Sequence, residues 1–269
     1  MHTDITHLAI DHPGANDSAY RLRRDEIARA AIQFHKTGGD IPYIGYSSEE
    51  QETWRKVVGI LDSLHALYAR DIYLDAKNIL QFSPEILPEL RDVSKKLQYE
   101  SGFQLHPVEG LIESRGFLST LAQRIMLCTQ YIRHASRPEY TPEPDIIHEL
   151  IGHAPTFLDP EIVKISECIG RTALHATPEQ LMQLERIYWY TIEFGLVSEN
   201  GKIKALGAGI LSSIAECERA FAAETIREPF TIETVIQTPY DFSAVQPKYF
   251  VCSGIKNLRK EIELFASLL

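Results

Sequence analysis

Residues 142–155 of the chain have the sequence PEPDIIHELIGHAP, which contains two histidines, His148 and His153, five positions apart. The pattern differs by one residue from the His-Glu-x-x-His motif of zinc proteases, in which the histidines are four apart and share one helical face. At about 100° per residue, positions five apart are rotated by roughly 140°, so the two side chains cannot converge from one straight α-helix. We therefore predict that the helix ends between them, with Gly152 allowing the exit and Pro155 preventing quick resumption.

A third candidate ligand is Glu193, in the segment YWYTIEFG of residues 188–195. A carboxylate among aromatic and aliphatic residues is costly to bury unless it is paired or binds a metal, although it could instead face solvent on a helix. Two imidazoles and one carboxylate on Fe(II) leave open positions on one face, where dioxygen binds beside a second substrate. These ligands would also accept zinc, but the missing zinc-protease spacing and the absence of a thiolate favour iron.

The composition is that of an ordinary globular chain: 269 residues, of which 44% are hydrophobic and 24% charged. The formal net charge of −10 repels phosphate backbones and anionic lipids, so we predict no nucleic-acid and no membrane partner. No signal-like leader and no stretch near the ~20 apolar residues that span a bilayer is present, which predicts a cytoplasmic location. The four cysteines are too far apart for a thiolate metal clip and are expected to be reduced core residues.

The spacing of apolar residues predicts one mainly α domain over residues 1–269, with a few short β-strands and a poorly ordered leader over residues 1–10. Start signals include a capping-box pair at Ser47 and Glu50, and prolines at the first helical position of two later helices. The predicted helices cover residues 18–36, 88–100, 115–134 and 144–151, with others that begin at residues 47, 160 and 178. The predicted strands lie near residues 195–197, 202–205, 230–232 and 249–251.

Several motifs, in one order and with characteristic gaps, carry a family resemblance that runs from Asp11 nearly to the C-terminus. They are CTQYIRH at 128–134, YTPEPD at 140–145, HELIGH at 148–153, IEFGL at 192–196 and GAGILSS at 207–213. The chain resembles the catalytic domain of the pterin-dependent aromatic amino acid hydroxylases. The resemblance implies that His148, His153 and Glu193 ligate a catalytic iron.

The resemblance also implies the cofactors and the reaction. Fe(II) would act with a tetrahydropterin (tetrahydrobiopterin or a related pterin) and with O2 as co-substrate, and the ring of a free aromatic amino acid would be hydroxylated. The pterin supplies two electrons. The protein would then contribute positioning and a dry site.

For the pterin, the resemblance places the ring of Phe117 against the heterocycle and the carboxylate of Glu149 beside it as a catalytic group. The backbone of the segment from Val108 to Ser114 would complete this subsite, and the residues assigned to it are Val108, Gly110, Leu111, Ile112 and Ser114. Without the resemblance, Phe117 fits the apolar stripe of its own helix, and Glu149 could be a partner of the metal ligand or a surface residue.

For the amino acid, the resemblance implies that Arg133 makes a two-pronged contact to the α-carboxylate, although a last-turn arginine also commonly neutralises a helix C-terminus. Thr141 and Ser212 would assist Arg133. The substrate ring would lie in an apolar slot formed by Pro144, Trp189, Phe194 and the ring of His148. The residues assigned to this subsite are Arg133, Tyr140, Thr141, Pro144, Trp189, Phe194, Ser212 and Phe242.

Trp189 favours phenylalanine, since tryptophan hydroxylases tend to have a smaller aromatic residue there, so we predict 4-hydroxylation of phenylalanine to tyrosine. Phe242 occupies a selectivity position that normally holds a smaller or acidic residue, and a tilted substrate ring could present its meta carbon. Leu127 and Gly116 also depart from the animal pattern near the pterin. The alternatives are 3-hydroxylation to meta-tyrosine and hydroxylation of tryptophan.

Two readings of other classes stay open on the residues alone. A zinc hydrolase could use Glu149 as its general base, and a non-catalytic module could bind aromatic amino acids. The resemblance covers neither the regulatory domain nor the assembly helix of the animal enzymes. Because Lys256–Leu269 is too short for several heptads of coiled coil, we predict a monomer.

Overall fold

The computed structural model describes residues 8–10, 12–242 and 244–269, and its fold is mainly helical. Residues 1–7 of the predicted leader lie outside the described residues. The α-helices are α1 Ser18–Thr37, α2 Ser48–Tyr68, α3 Asp71–Leu80, α4 Leu90–Ser101, α5 Ser114–Thr120, α6 Pro160–Ala173, α7 Pro178–Tyr188, α8 Ala208–Ser212, α9 Ile214–Phe221, α10 Ile232–Val235 and α11 Ile255–Leu268. Two π-helices, His148–His153 and Trp189–Glu193, lie between them.

Over the described residues, the β-structure consists of a two-stranded and a four-stranded sheet. The strands are β1 Gln104–Pro107, β2 Ile125–Cys128, β3 Leu196–Glu199, β4 Lys202–Ala205, β5 Ile226–Pro229 and β6 Lys248–Cys252. In the larger sheet the order is β4-β3-β6-β5, and β6 runs parallel to both of its neighbours. Asn200 and Gly201 join β3 to β4 with φ of 52° and 75°, the left-handed values that a two-residue hairpin turn of this kind needs.

The predicted start signals are confirmed. Ser47 and Glu50 form the capping box of α2, and Thr177 does the same with Gln180 at α7. The apolar stripe of α2 packs into the main core, where Trp54 is fully buried. These local signals work because each depends only on residues within one helical turn.

The predicted helix over residues 115–134 is wrong after its first turns. α5 ends at Thr120, a 3₁₀ turn follows, and Arg124 takes a left-handed φ of 57°. The next residues form β2, which pairs in parallel with β1. Short apolar runs fit helical and strand periods equally, and pairing with a strand about twenty residues earlier decided the outcome.

The strand expected at residues 230–232 is also misplaced. β5 ends at Pro229, and the hydroxyl of Thr231 accepts a hydrogen bond from the backbone of Thr234, which caps α10. The β-prone composition of this run was therefore overridden by the capping role of Thr231.

The cysteines are unpaired as expected: Cys128, Cys217 and Cys252 are buried and Cys168 is half-buried. Among the described helices, none is both long enough and apolar enough to cross a bilayer.

Candidate active site

His148 and His153 converge because the helix between them is a π-helix. The backbone N–H of Ala154 donates to the carbonyl of Glu149 at 3.0 Å, a hydrogen bond that spans five residues instead of four. Side chains five positions apart therefore face the same way, and the two imidazole centroids are 4.7 Å apart. The prediction that the helix ends between the histidines is wrong, since it considered α-helical geometry alone.

Gly152 has a different function from the predicted helix exit. A Cβ at this position would lie 2.7 Å from the carbonyl oxygen of Ala208, so the missing side chain lets α8 pack directly against the first π-helix. Close packing matters here because Ser212, at the end of α8, contacts a candidate ligand.

Glu193 ends the second π-helix, in which the N–H of Phe194 donates to the carbonyl of Trp189, again across five residues. Gly207 approaches so closely that a Cβ would lie 2.2 Å from the Glu193 carbonyl oxygen. The Glu193 carboxylate reaches both imidazoles, at 3.4 Å from Nε2 of His148 and 3.0 Å from Nε2 of His153. Three groups from two distant segments thus surround one point.

The arrangement fits a metal ion. Both ring nitrogens of the fully buried His153 lack an aligned hydrogen-bond partner, although Nε2 lies close to the Glu193 carboxylate. Buried polar atoms are rarely left without partners, so an Nε2 in this position is suited to bind a metal ion. Two imidazoles and a carboxylate are a donor set that suits non-haem iron.

A second carboxylate also lies within reach. Ligand atoms of His148, Glu149 and His153 all lie within 4.8 Å of one another. One oxygen of Glu149 accepts hydrogen bonds from the backbone N–H and the hydroxyl of Thr129, at 3.0 and 3.3 Å. The other oxygen is buried without a partner. The sequence did not indicate that two glutamates would compete for one centre.

The charges around the centre follow from burial and proximity. Burial lowers the pKa of His148 to about 4, which keeps its imidazole neutral, the form that binds metals. Burial raises the pKa of Glu193, but the nearby imidazoles outweigh this effect and hold it well below its usual range. Burial raises the pKa of Glu149 to about 7.

A cavity of about 430 Å³ opens beside this cluster. All the site residues predicted from the sequence line it, from both subsites: Val108, Gly110, Leu111, Ile112, Ser114, Phe117, Arg133, Tyr140, Thr141, Pro144, His148, Glu149, His153, Trp189, Glu193, Phe194, Ser212 and Phe242. Leu127 also lines the cavity, at the position that departs from the animal pattern.

Arg133 is more constrained than expected. Its Nε and one Nη donate to the two carboxylate oxygens of Asp145, at 2.9 and 2.8 Å, so the two-pronged face is already occupied. Asp145 also accepts a hydrogen bond from the backbone N–H of His148 at 3.0 Å. Among the described residues, the remaining Nη1 donates to the carbonyl of Pro138, at 3.3 Å.

Aromatic rings form one side of the cavity. Trp189 stacks on Tyr240 with ring centroids 4.4 Å apart, and its ring lies 4.6 Å from that of Phe194. Phe117 is half-buried and packs edge-on against Tyr188 at 5.5 Å. Phe242 stands at the mouth with 64% of its surface exposed.

Three residues that support the site were missed. Thr129 and Asp145 lie in quoted motifs, and the position of Asp145 three residues before His148 is a typical capping distance that could have identified it. Tyr240 gave no signal, because only the folded chain brings its ring onto Trp189.

Comparison with known proteins agrees with this geometry. The family model for biopterin-dependent aromatic amino acid hydroxylases matches residues 2–269. A tyrosine 3-monooxygenase of Schistosoma mansoni is 42% identical over 259 residues, which are 95% of this chain and 56% of that protein. A phenylalanine-4-hydroxylase of Rattus norvegicus is 41% identical over 264 residues, 97% of this chain and 58% of that protein. The chain thus spans little more than half the length of these curated relatives.

Among solved structures, the phenylalanine hydroxylase of Chromobacterium violaceum with bound iron(III) and 7,8-dihydrobiopterin superposes with a TM-score of 0.78. It is 30% identical, and the match covers 83% of this chain and 82% of that one. The apo phenylalanine hydroxylase of Colwellia psychrerythraea gives a TM-score of 0.76 at 30% identity, with 84% and 91% covered. The chain belongs to the family of biopterin-dependent aromatic amino acid hydroxylases.

Proposed function

We propose that the chain is an Fe(II)- and tetrahydropterin-dependent monooxygenase that hydroxylates free phenylalanine at the 4-position to give tyrosine. The observation that carries the proposal is the convergence of His148, His153 and Glu193 at one end of an aromatic-lined cavity. Iron and a reduced pterin, when bound, would supply dioxygen activation and two electrons. The chain itself supplies binding, orientation and exclusion of water.

His148, His153 and Glu193 would hold the iron. Nδ1 of His148 lies 3.0 Å from the hydroxyl oxygen of Ser212. If Nδ1–H donates to that oxygen, the lone pair of Nε2 is left to point at the metal, and the ring cannot rotate away from it. Ser212 thereby acts through His148 and also lines the cavity.

Glu149 and Phe117 would receive the pterin. The unpartnered oxygen of Glu149 can accept a hydrogen bond from an N–H of the heterocycle, while Thr129 fixes the other oxygen. With a pKa near 7, this carboxyl can also take or return a proton at neutral pH. The half-buried ring of Phe117 offers a flat face at the cavity wall.

Arg133 would bind the α-carboxylate of the amino acid through Nη1, the one guanidinium nitrogen that Asp145 does not engage. Asp145 holds the planar guanidinium in place, so little side-chain entropy is lost on binding. The ring of the substrate would lie among Trp189, Phe194 and Pro144, where offset aromatic contacts favour a planar side chain.

Phenylalanine is proposed over tryptophan on the size of Trp189, since a smaller aromatic residue at this position would leave room for an indole. Identities of 42% to a tyrosine 3-monooxygenase and 41% to a phenylalanine-4-hydroxylase do not separate the two activities. Phe242 at the cavity mouth favours a second candidate, 3-hydroxylation of phenylalanine, because a large side chain there can tilt the ring.

The test is an aerobic assay with Fe(II), a tetrahydropterin and each of phenylalanine, tyrosine and tryptophan, followed by chromatographic separation of the isomers. Para-tyrosine from phenylalanine is the expected product. Meta-tyrosine would establish the second candidate instead. Hydrolysis of peptides or amides with zinc and without pterin, or amino-acid binding without oxygen uptake, would overturn both.

A further inference from the structure

Gln246 is buried behind the aromatic side of the cavity and every polar atom of its side chain is used. It is 2% exposed and does not itself line the cavity. Its Oε1 accepts a hydrogen bond from the indole Nε1–H of Trp189 at 3.0 Å. Its Nε2 donates to the carbonyls of Asp241 and Ala244, both at 3.0 Å.

The orientation of the amide is fixed by its partners. An indole N–H can only donate, and a backbone carbonyl can only accept. A flipped amide of Gln246 would therefore lose all three hydrogen bonds at once.

The backbone of Gln246 is anchored as well. Its N–H donates to Oε1 of the buried Glu216 at 3.0 Å, and the hydroxyl of Tyr249 donates to the other oxygen of the same carboxylate. Because Glu216 and Tyr249 belong to α9 and β6, Gln246 is held by elements that form the body of the fold.

Gln246 connects the two parts of what we call the outer wall, the cavity-lining residues Trp189, Tyr240 and Phe242. Trp189 belongs to the π-helix that ends in Glu193. Asp241 lies between Tyr240 and Phe242, so a hydrogen bond to its carbonyl restrains the backbone that carries both rings. The amide of Gln246 is thus the polar link between the indole and this backbone.

We propose that Gln246 is a positioning residue that determines substrate and ring-position selectivity by holding Trp189 and the backbone of Phe242 in one arrangement. The proposal rests on the proposed function. Loss of the link would leave the stacking of Trp189 on Tyr240 without this polar restraint, so that the indole and the 240–242 backbone would be free to shift relative to each other. Displacements of about 1 Å are enough to change which ring carbon meets the reacting oxygen.

The principal test is Gln246→Met, which preserves length and burial but removes the acceptor and both donors. For phenylalanine, we expect the ratio of para to other hydroxylated isomers to fall roughly tenfold, the scale of discrimination that apolar pockets provide. The amount of product per pterin oxidised should fall too. Fe(II) affinity of the apoprotein should stay within about twofold, since no metal ligand is touched.

Gln51→Met is the matched control. The side-chain oxygen of Gln51 likewise accepts one hydrogen bond, from the backbone N–H of Leu87 at 2.9 Å, but Gln51 lies outside the cavity lining. This control should leave the isomer ratio and coupling unchanged. If Gln246→Met lowers activity and stability but leaves the isomer ratio and coupling at wild-type values, Gln246 is merely structural and the proposal is overturned.

Trp189→Phe separates the hydrogen bond from general destabilisation. It removes the indole N–H while keeping an aromatic ring. If Gln246 acts through Trp189, the shift in isomer ratio in the double variant should be smaller than the product of the two single shifts. If the shift in isomer ratio of the double variant equals the product of the two single shifts, Gln246 does not act through Trp189. A wild-type chain that hydroxylates no aromatic amino acid would instead refute the proposed function, before any variant is compared.

Discussion

Glu193 and Glu149 can be told apart by one isosteric substitution each. Glu193 has its two oxygens 3.4 and 3.0 Å from Nε2 of the two histidines, whereas Glu149 has one oxygen committed to Thr129. A carboxylate that faces both imidazoles is the better third ligand, because its charge offsets that of the cation at the shared point.

Glu193→Gln should therefore weaken Fe(II) binding at least about a hundredfold and abolish turnover, since ligand contacts contribute more than the 10–100-fold typical of their supporting partners. Thermal unfolding of the apoprotein should change little, because the amide keeps the shape of the side chain. Anaerobic Fe(II) titration of the apoprotein is the measurement. Turnover at the wild-type rate would refute the ligand assignment.

Glu149→Gln should leave Fe(II) binding nearly unchanged and weaken pterin binding. Its amide oxygen can still accept the hydrogen bond from Thr129, so we expect Fe(II) affinity to stay within about threefold of wild type. Loss of the negatively charged acceptor should raise the KM for the pterin by roughly tenfold, the scale of one charge-assisted hydrogen bond. Steady-state kinetics with varied pterin measure this. A large loss of iron affinity would show that Glu149 is itself a ligand.

At the scale of elements, the site depends on two π-helices that meet α8 at glycines. Gly152→Ala would place a Cβ 2.7 Å from the Ala208 carbonyl, and backbone cannot yield as a flexible side chain can. We expect a loss of about 1–3 kcal/mol in the free energy of unfolding and weaker Fe(II) binding, as α8 and Ser212 move away from His148.

The matched control for that substitution is Gly59→Ala, in the middle of α2, where a Cβ would meet nothing within 4 Å. Alanine favours a helix over glycine by about 1 kcal/mol, so this variant should be slightly more stable than wild type. Urea denaturation of both variants gives the comparison. If Gly152→Ala is as stable as Gly59→Ala, α8 moves to accommodate the new Cβ without a cost in stability.

α2 and α3 support α8 from behind through His65. Its Nδ1 lies 3.1 Å from the ammonium of Lys77, which can only donate, so Nδ1 is the acceptor and Nε2–H donates to the Leu211 carbonyl at 2.7 Å. Burial, with a further contribution from Lys77, lowers the pKa of His65 to about 3.

This depressed pKa predicts a pH dependence of stability. Below pH ~6.5 the unfolded chain protonates His65 while the folded chain does not, so stability is fully present above that pH and is lost as the pH falls towards 3. The contribution is up to about 1.4 kcal/mol per pH unit. Urea unfolding of wild type and His65→Gln between pH 5 and 7.5 should show a flatter profile for the variant, with exposed His175→Gln as control. If the free energy of unfolding changes with pH by the same slope in wild type and both variants, His65 does not cause the pH dependence.

For the whole molecule, local chemistry was predictable and long-range pairing was not. The helix starts at Ser47 and Pro178 follow from residues within one turn, and the cavity residues follow from the family resemblance. The parallel pairing of β1 with β2 and the contact of Gln246 with Trp189 depend on segments far apart in sequence. The π-helices were not predicted from the sequence because an α-helical period of 3.6 residues per turn was assumed, whereas their hydrogen bonds span five residues.

The metal centre joins parts of the chain that are remote in sequence, so it should also stabilise the whole fold. Both ring nitrogens of His153 lack an aligned hydrogen-bond partner, and the Glu193 carboxylate lies against two imidazoles from another helix. These groups can bind a cation tightly only in the folded state. A free metal concentration a hundredfold above Kd therefore adds about 2.7 kcal/mol to the free energy of unfolding.

Removal of the metal with a chelator should therefore lower the Tm of wild type, and anaerobic Fe(II), or Co(II) as a redox-stable substitute, should restore it. The size of the restoration should grow with the logarithm of metal concentration, as linkage requires. Glu193→Gln should show a much smaller metal-dependent change at the same concentrations, while Gly59→Ala should show the full one. If the Tm of wild type does not change with added metal, His148, His153 and Glu193 do not form a cation site.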